Sequence, residues 1–215
     1  MILYWFLLLL ISIVAYGLGS MSTTVIASNY VFRASLRRLG TGNLWISNFR
    51  RIYGVWGWIR LLLVELIKNS LPILFGSLLL GFKGHADVGR AFAGLCVVLG
   101  RLYPLFYDFK GSHATLALVT MALWIEPSVG IATAAVAAIA VFVTKYIALG
   151  TLVSALALVA VSLLMVEDVL IRNLIIIAAA LIFLKHIPAI SRMVSGREEK
   201  LNFKEDITYK LDENF

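Results

Sequence analysis

The run from Arg37 to Arg51 sets four arginines, two hydroxyls (Thr41 and Ser47), two asparagines (Asn43 and Asn48) and two glycines (Gly40 and Gly42) between long apolar segments. Residues of these types handle anions. Glycine allows close backbone approach, and arginine presents a planar fork of donors that matches the oxygens of a phosphate. The stretch therefore reads as the rim of a polar pocket at a membrane surface, with a phosphate-bearing substrate as the first expectation. The same residues would also serve as a basic loop that does no more than fix topology.

Three further places could do chemistry. Glu65 and Lys68 stand three apart with the acid N-terminal to the base, so on a helix they share a face and could pair. They would lie about nine to twelve residues into an apolar span, where charges are costly and are either neutralised between packed helices or functional. A compact turn, Phe109-Lys110-Gly111-Ser112-His113-Ala114-Thr115, precedes another apolar run. His186 lies where the last apolar run gives way to a basic tail. His85 reads as an exposed loop residue. Cys96, the single cysteine, sits in an apolar run, so no intrachain disulfide can form, and no metal-ligand spacing is present.

The elements that must hold these residues are membrane spans. Of 215 residues 61% are hydrophobic, well above the roughly 45–50% of soluble domains, and the mean hydropathy is +0.93. The net charge of +7 would suit nucleic acid if it were gathered on one soluble face. It falls instead between apolar runs and in the tail, which fits anionic lipid headgroups and argues against a nucleic-acid partner. Apolar runs are expected at 2–19, 55–81, 88–105, 116–124, 129–143, 147–166 and 169–184, with residues 20–36 continuing or kinking the first. With no Lys or Arg before it, the first run reads as a span rather than a signal peptide. The expectation is an all-α polytopic helix bundle with about seven transmembrane helices, N-terminus outside and C-terminus cytoplasmic. That parity puts the basic stretches 33–51, 101–113 and 185–200 on one inner face. Residues 1–190 would form the membrane domain and 191–215 a cytoplasmic tail of mixed charge.

Gly40-Thr41-Gly42-Asn43, with Ser47, Asn48 and Arg51, resembles the first cytoplasmic motif of the bacterial acyl-phosphate:glycerol-3-phosphate acyltransferases, usually Gly-Ser-Gly-Asn-x-Gly-Ala-Thr-Asn-x-x-Arg. Gly19-Ser20 stands where that family has Gly-Ser-Ile-Pro. Phe109-Lys110-Gly111-Ser112-His113-Ala114 is similar to the second motif, Phe-Lys-Gly-Gly-Lys-Gly. Glu65 with Lys68-Asn69 echoes Asp-x-x-Lys-Gly, and Thr144-Lys145-Tyr146 echoes Thr-Arg-Tyr. His186-Ile187-Pro188-Ala189, then Arg192 and Ser195-Gly196-Arg197-Glu198, stands for His-Arg-Glu-Asn and its basic sequel. The matches run in order across nearly the whole chain. Three departures stand out: Trp45-Ile46 replaces the small Gly-Ala pair, His113 replaces a lysine, and Ala189 replaces an asparagine.

The resemblance implies transfer of a fatty acyl group from acyl phosphate to glycerol 3-phosphate at a plasma membrane, giving 1-acyl-glycerol 3-phosphate, with no cofactor and neither coenzyme A nor acyl carrier protein as donor. On that reading Ser20, Thr41, Gly42, Asn43, Ser47, Asn48, Arg51, Lys110, Gly111 and Ser112 would bind substrate. His113 or His186 would accept the proton of the attacking hydroxyl, and Glu65 and Lys68 would support the pocket from beneath. The substitutions also admit an inactive or substrate-shifted relative that binds lipid or a partner protein. A transporter is the weaker alternative, because polar residues gather at the inner loops rather than at midplane and no inverted repeat is evident.

Overall fold

The computed structural model describes residues 2–31, 46–111, 113–198 and 200–201, giving only the backbone of Val31, Ile46 and Ser47. The described residues are all helix, turn and connection. They fall into two compact units: residues 1–21 with 66–200, and residues 22–65 with 201–215. Each is taken by itself.

The first unit holds α1 (Ile2–Ser20), α4 (Ala86–Leu102), α5 (Thr115–Ile125), α6 (Pro127–Thr144), α7 (Ile147–Met165), α8 (Val169–Val194) and the C-terminal half of α3 (Ile46–Gly81). Among the described residues six helices, α1, α3, α4, α6, α7 and α8, are long and apolar enough to cross a membrane, and α5 is a shorter apolar helix of 11 residues. Seven apolar helices therefore stand where seven spans were expected, one of them short. At about 1.5 Å per residue α5 covers roughly half of a ~30 Å hydrocarbon slab.

Local chemistry sets the boundaries. Pro104, just beyond α4, begins an extended step, and a short 3-10 turn follows at Leu105–Tyr107. Glu126 is extended and Pro127 occupies the first turn of α6, where its missing N–H leaves no bond unmade. Asp168 caps α8, its Oδ1 accepting from the backbone N–H groups of Leu170 at 2.7 Å and Ile171 at 3.1 Å. Of the expected continuation or kink over 20–36, the described part is a kink: the helix stops at Ser20, and after a bend a short α2 (Thr23–Ile26) runs into a π-turn at Ala27–Val31, while residues 32–36 lie outside the described residues. The last span also differs, because α8 continues through His186 and Pro188 to Val194 rather than ending near Leu184.

The core of this unit is built from Ile11, Ile73, Leu118, Met121, Leu158, Ile175 and Ile182, all buried. α1 packs on α4, α4 on α5 and α8, and α5, α6, α7 and α8 follow one another in sequence. Glycine lets backbones approach closely where lipid offers no hydrophobic drive for association. A Cβ on Gly76 would strike the Gly89 carbonyl, and one on Gly89 would strike the Gly76 carbonyl, so α3 and α4 cross there backbone to backbone. At the other end of α4, Gly100 lies against the Tyr16 carbonyl and the Ser20 amide of α1.

In the second unit the N-terminal half of α3 is interrupted at Gly54, whose φ of 69° and ψ of −174° are open to glycine at little cost. The second span was expected to begin near Val55, and helix in fact precedes that break from Ile46 onward. Phe49, Ile52 and Leu61 form a small core with Tyr53 packed against it.

Candidate functional site

The polar end of α4 is where the first unit gathers its chemistry. After Tyr103 the chain makes a tight turn in which Asp108 (φ 52°) and Phe109 (φ 57°) are both left-handed. That conformation is sparsely populated by residues other than glycine and, away from active sites and turns, is selected against. The turn is held by Phe109 N–H donating to the Pro104 carbonyl at 3.1 Å and Lys110 N–H to that of Tyr107 at 2.9 Å. It leaves Lys110 exposed and lays Gly111 on the end of α4, where a Cβ would overlap the carbonyl oxygens of Arg101 and Leu102.

Two helices grip this end of α4. Tyr16 of α1 donates its O–H to the Tyr103 carbonyl at 2.6 Å, and the Lys185 ammonium of α8 lies 4.5 Å from the centre of the Tyr103 ring. The segment then brings His113, partly buried, to His186 on α8. Their rings stack at 5.2 Å, and His113 Nδ1 lies 3.0 Å from His186 Nε2. His186 is 3% exposed, and its Nδ1 lies 2.8 Å from the Ile182 carbonyl one turn back. Two residues later Thr115 meets Thr151 of α7, hydroxyl to hydroxyl, while Thr151 also donates to the Ile147 carbonyl at 3.0 Å. In the last turn of α8, Arg192 forms a 2.6 Å ion pair with Glu198 beyond the helix, whose backbone N–H turns back to the Arg192 carbonyl.

His113 stands in the connection before α5, and its pKa is pushed down from 6.5 to about 3. Burial is the largest cause, followed by the charges of His186, Arg101 and Arg192. At neutral pH it is therefore an uncharged imidazole. The neighbouring Arg101 and Arg192 guanidiniums add to burial in disfavouring a positive charge on the ring.

The other expected residues are placed as follows. Ser20 is 1% exposed at the end of α1. Lys68 Nζ donates to the Met21 carbonyl at 2.7 Å, which ties α3 to the end of α1. Glu65 is 2% exposed on α3. In the second unit, Asn48 is buried, Arg51 is partly exposed, and the neighbouring Arg50 guanidinium lies 5.9 Å from the Trp58 ring centre. Ser28 and Tyr53 share a hydroxyl hydrogen bond at 3.2 Å, and the Phe49 and Tyr53 rings lie 4.5 Å apart. Thr41, Gly42, Asn43 and Ser112 lie outside the described residues, as does the side chain of Ser47. His85 is exposed in the turn before α4, as expected, with its ring edge-on to Tyr4.

Thr151 and Tyr103 were not singled out beforehand, and Thr115 and Glu198 were named only as members of longer stretches. Threonines in apolar helices ordinarily bond their own backbone, and only the meeting of α5 with α7 makes these two a pair.

The chain is similar to known proteins. The sequence profile of a family described as glycerol-3-phosphate acyltransferase matches residues 9–196. A glycerol-3-phosphate acyltransferase of Pseudomonas putida is 36% identical over 129 residues, 59% of this chain and 64% of that protein. One from Streptococcus agalactiae is 31% identical over 121 residues, 56% of this chain and 55% of its own length. The matched region thus spans about six tenths of these relatives. Among solved structures, the lysophosphatidic acid form of PlsY (YgiH), an integral membrane glycerol 3-phosphate acyltransferase, superposes with a TM-score of 0.75 at 25% identity, over 93% of this chain and 97% of that one. The glycerol 3-phosphate form gives the same TM-score at 24% identity.

Proposed function

The chain belongs to the glycerol-3-phosphate acyltransferase family, and from that premise we propose that it transfers a fatty acyl group from acyl phosphate to the 1-hydroxyl of glycerol 3-phosphate at the inner face of a plasma membrane. The products are 1-acyl-glycerol 3-phosphate and inorganic phosphate. The observation that carries this reading is the site at the polar end of α4. His113, on the segment that carries Lys110 and Gly111, pairs with His186 of α8 within the influence of Arg101 and Arg192, at the end of an apolar bundle. Both substrates bear phosphate, and one bears an acyl chain. Cations and backbone N–H groups suit the first, and apolar helix surfaces suit the second.

Lys110 and Arg51 are assigned to phosphate oxygens, with Thr41, Asn43 and Ser47 adding neutral donors. A charge-assisted hydrogen bond contributes about 1.5–3 kcal/mol, so Arg51→Ala is expected to raise the KM of one phosphate-bearing substrate by about tenfold or more. Steady-state kinetics on purified protein in detergent, varying acyl phosphate and glycerol 3-phosphate in turn, measure it. Unchanged KM values for both substrates remove Arg51 from the site. Failure of the wild-type protein to form 1-acyl-glycerol 3-phosphate would overturn the reading as a whole.

Orientation follows from the asymmetry of Lys and Arg among the connections. Reporter tags inserted after Gly81 and after Gly196 are expected on opposite sides of the membrane, the first outside and the second cytoplasmic. Both tags on one side would contradict an odd number of crossings between them.

A further inference from the structure

Near the polar end of α4 two buried side chains carry polar atoms that nothing satisfies. Ser20 Oγ and Asn69 Nδ2 have no hydrogen-bond partner among the described residues, and each residue is 1% exposed. A donor that gives up water and gains no acceptor destabilises the fold, and such groups are rare in native proteins. Two of them on neighbouring helices point to an oxygen that arrives from outside the chain.

Helix geometry brings the two to one level. Asn69, Ile73, Gly76 and Leu80 are all buried and follow one another at the spacing of a single helix face. Gly76 on that face meets Gly89 and Ala93 of α4. The turn at 82–85 joins α3 to α4, so the two run antiparallel there. Two turns back along α3 from Gly76 is Asn69, and two turns on along α4 is the stretch from Cys96 to Gly100, so these stand opposite each other. Ser20 meets the same stretch. A Cβ on Gly100 would fall 2.8 Å from the Ser20 amide nitrogen, and one on Gly19 would fall 2.6 Å from the Val97 carbonyl oxygen. Lys68, next to Asn69, is bonded to the Met21 carbonyl at 2.7 Å, which closes α3 on the end of α1 at this point. Toward Ile73 the face turns apolar, so an oxygen enters from the polar end, where Arg101 and Gly111 stand.

From this geometry we infer, resting on the acyl-transfer reading, that Asn69 is a specificity-determining substrate contact: its Nδ2 donates to an uncharged oxygen of a bound substrate that Ser20 Oγ also touches. A neutral amide and a hydroxyl select by the position of an oxygen and not by charge, which leaves the phosphates to the cations. The oxygen is the carbonyl of the acyl donor or a hydroxyl of glycerol 3-phosphate. The motif that residues 65–69 echo ends in glycine, so the amide is this chain's own addition to the polar end of the bundle. A pocket built to donate to an oxygen discriminates against an analogue that lacks it, because the donor is then buried unpaired.

Binding to the purified full chain in detergent, measured by isothermal titration calorimetry with two pairs of probes, tests this. The first pair is glycerol 3-phosphate and propanediol phosphate, which lacks the middle hydroxyl. The second is a long-chain oxoalkylphosphonate, in which a methylene replaces the bridging oxygen of acyl phosphate, and the alkylphosphonate without the ketone. In the wild type the oxygen-bearing member of at least one pair should bind more tightly. Asn69→Ala should lower that preference by about three- to tenfold, the loss of one neutral hydrogen bond, and leave the other pair's preference unchanged. Ser20→Ala should lower the same preference. A change confined to the phosphonate pair assigns the acyl carbonyl, and one confined to the glycerol pair assigns the hydroxyl. A residue that only packs would weaken both members of a pair alike and leave their ratio where it was. Circular dichroism establishes folding, and if Asn69→Ala does not fold, Asn69→Gly takes its place, since glycine ends the similar motif. Unchanged preferences in a folded variant, or different pairs affected by Ser20→Ala and Asn69→Ala, overturn the role of Asn69 alone. A wild type that binds none of the probes overturns the acyl-transfer reading and this contact together.

Discussion

Gly111→Ala is expected to lower kcat/KM for acyl transfer by about a hundredfold while leaving the helical content of the protein unchanged. The added methyl would fall within the contact distance of the Arg101 and Leu102 carbonyl oxygens. These belong to the end of a packed helix, not to a flexible side chain, so the segment from Lys110 to His113 must move instead. A displacement of ~1 Å in positioned groups costs about 10²-fold in rate, and Lys110 and His113 flank the substitution on either side. Gly17→Ala is the matched control, because a Cβ there meets nothing within 4 Å and alanine favours a helix over glycine by roughly 1 kcal/mol. Steady-state kinetics beside far-ultraviolet circular dichroism measure both. Wild-type kcat/KM in Gly111→Ala would show that this close approach does not hold the reacting groups.

The largest effect on stability is expected from Gly89→Leu. Gly76 and Gly89 meet backbone to backbone, and a side chain at either must separate α3 from α4 along a contact that includes Ile73, Leu80 and Ala93. Overpacking of a well-packed core costs about 1–3 kcal/mol, and clash with main chain lies at the upper end. At roughly 2–4 °C per kcal/mol for a chain of this size, Tm in detergent should fall by about 6–12 °C, or the protein should fail to accumulate in the membrane. Gly81→Leu serves as comparison, since its Cβ would make only an ordinary contact with Ala86. Equal melting temperatures for the two variants would contradict the glycine crossing.

What was legible in the sequence is what composition and punctuation encode. A helix stands at each expected apolar run, although the last continues to Val194; the Glu126-Pro127 break, the stop before Pro104 and the Asp168 cap have local physical causes that become clear in the structure. The start of α3 was less legible. Residues 46–51 carry the polar composition of a loop, yet Phe49 and Ile52 bury themselves against Tyr53 and make the stretch helical, with Gly54 breaking it one turn later. α8 runs through Pro188.

The candidate site was legible as a set of residue types and not as an arrangement. His113 and His186 are 73 positions apart, and nothing in spacing or periodicity joins them. Their pairing depends on α4 packing against α8, on Gly111 lying flat on the end of α4, and on the Tyr16 and Lys185 contacts that fix Tyr103. The neutral state of His113 was also out of reach of the sequence, because burial, the largest cause, and the arginines that add to it come from residues brought together only by the fold.

The central claim, that acyl phosphate is the donor and glycerol 3-phosphate the acceptor, is tested most directly by product stoichiometry. Purified protein in detergent is incubated with acyl phosphate and labelled glycerol 3-phosphate, and 1-acyl-glycerol 3-phosphate and inorganic phosphate are quantified together, with acyl-coenzyme A as the competing donor in a parallel reaction. The expected result is one phosphate released for each ester formed, and no ester from acyl-coenzyme A. Ester formed equally well from acyl-coenzyme A, or phosphate released without ester, would contradict it.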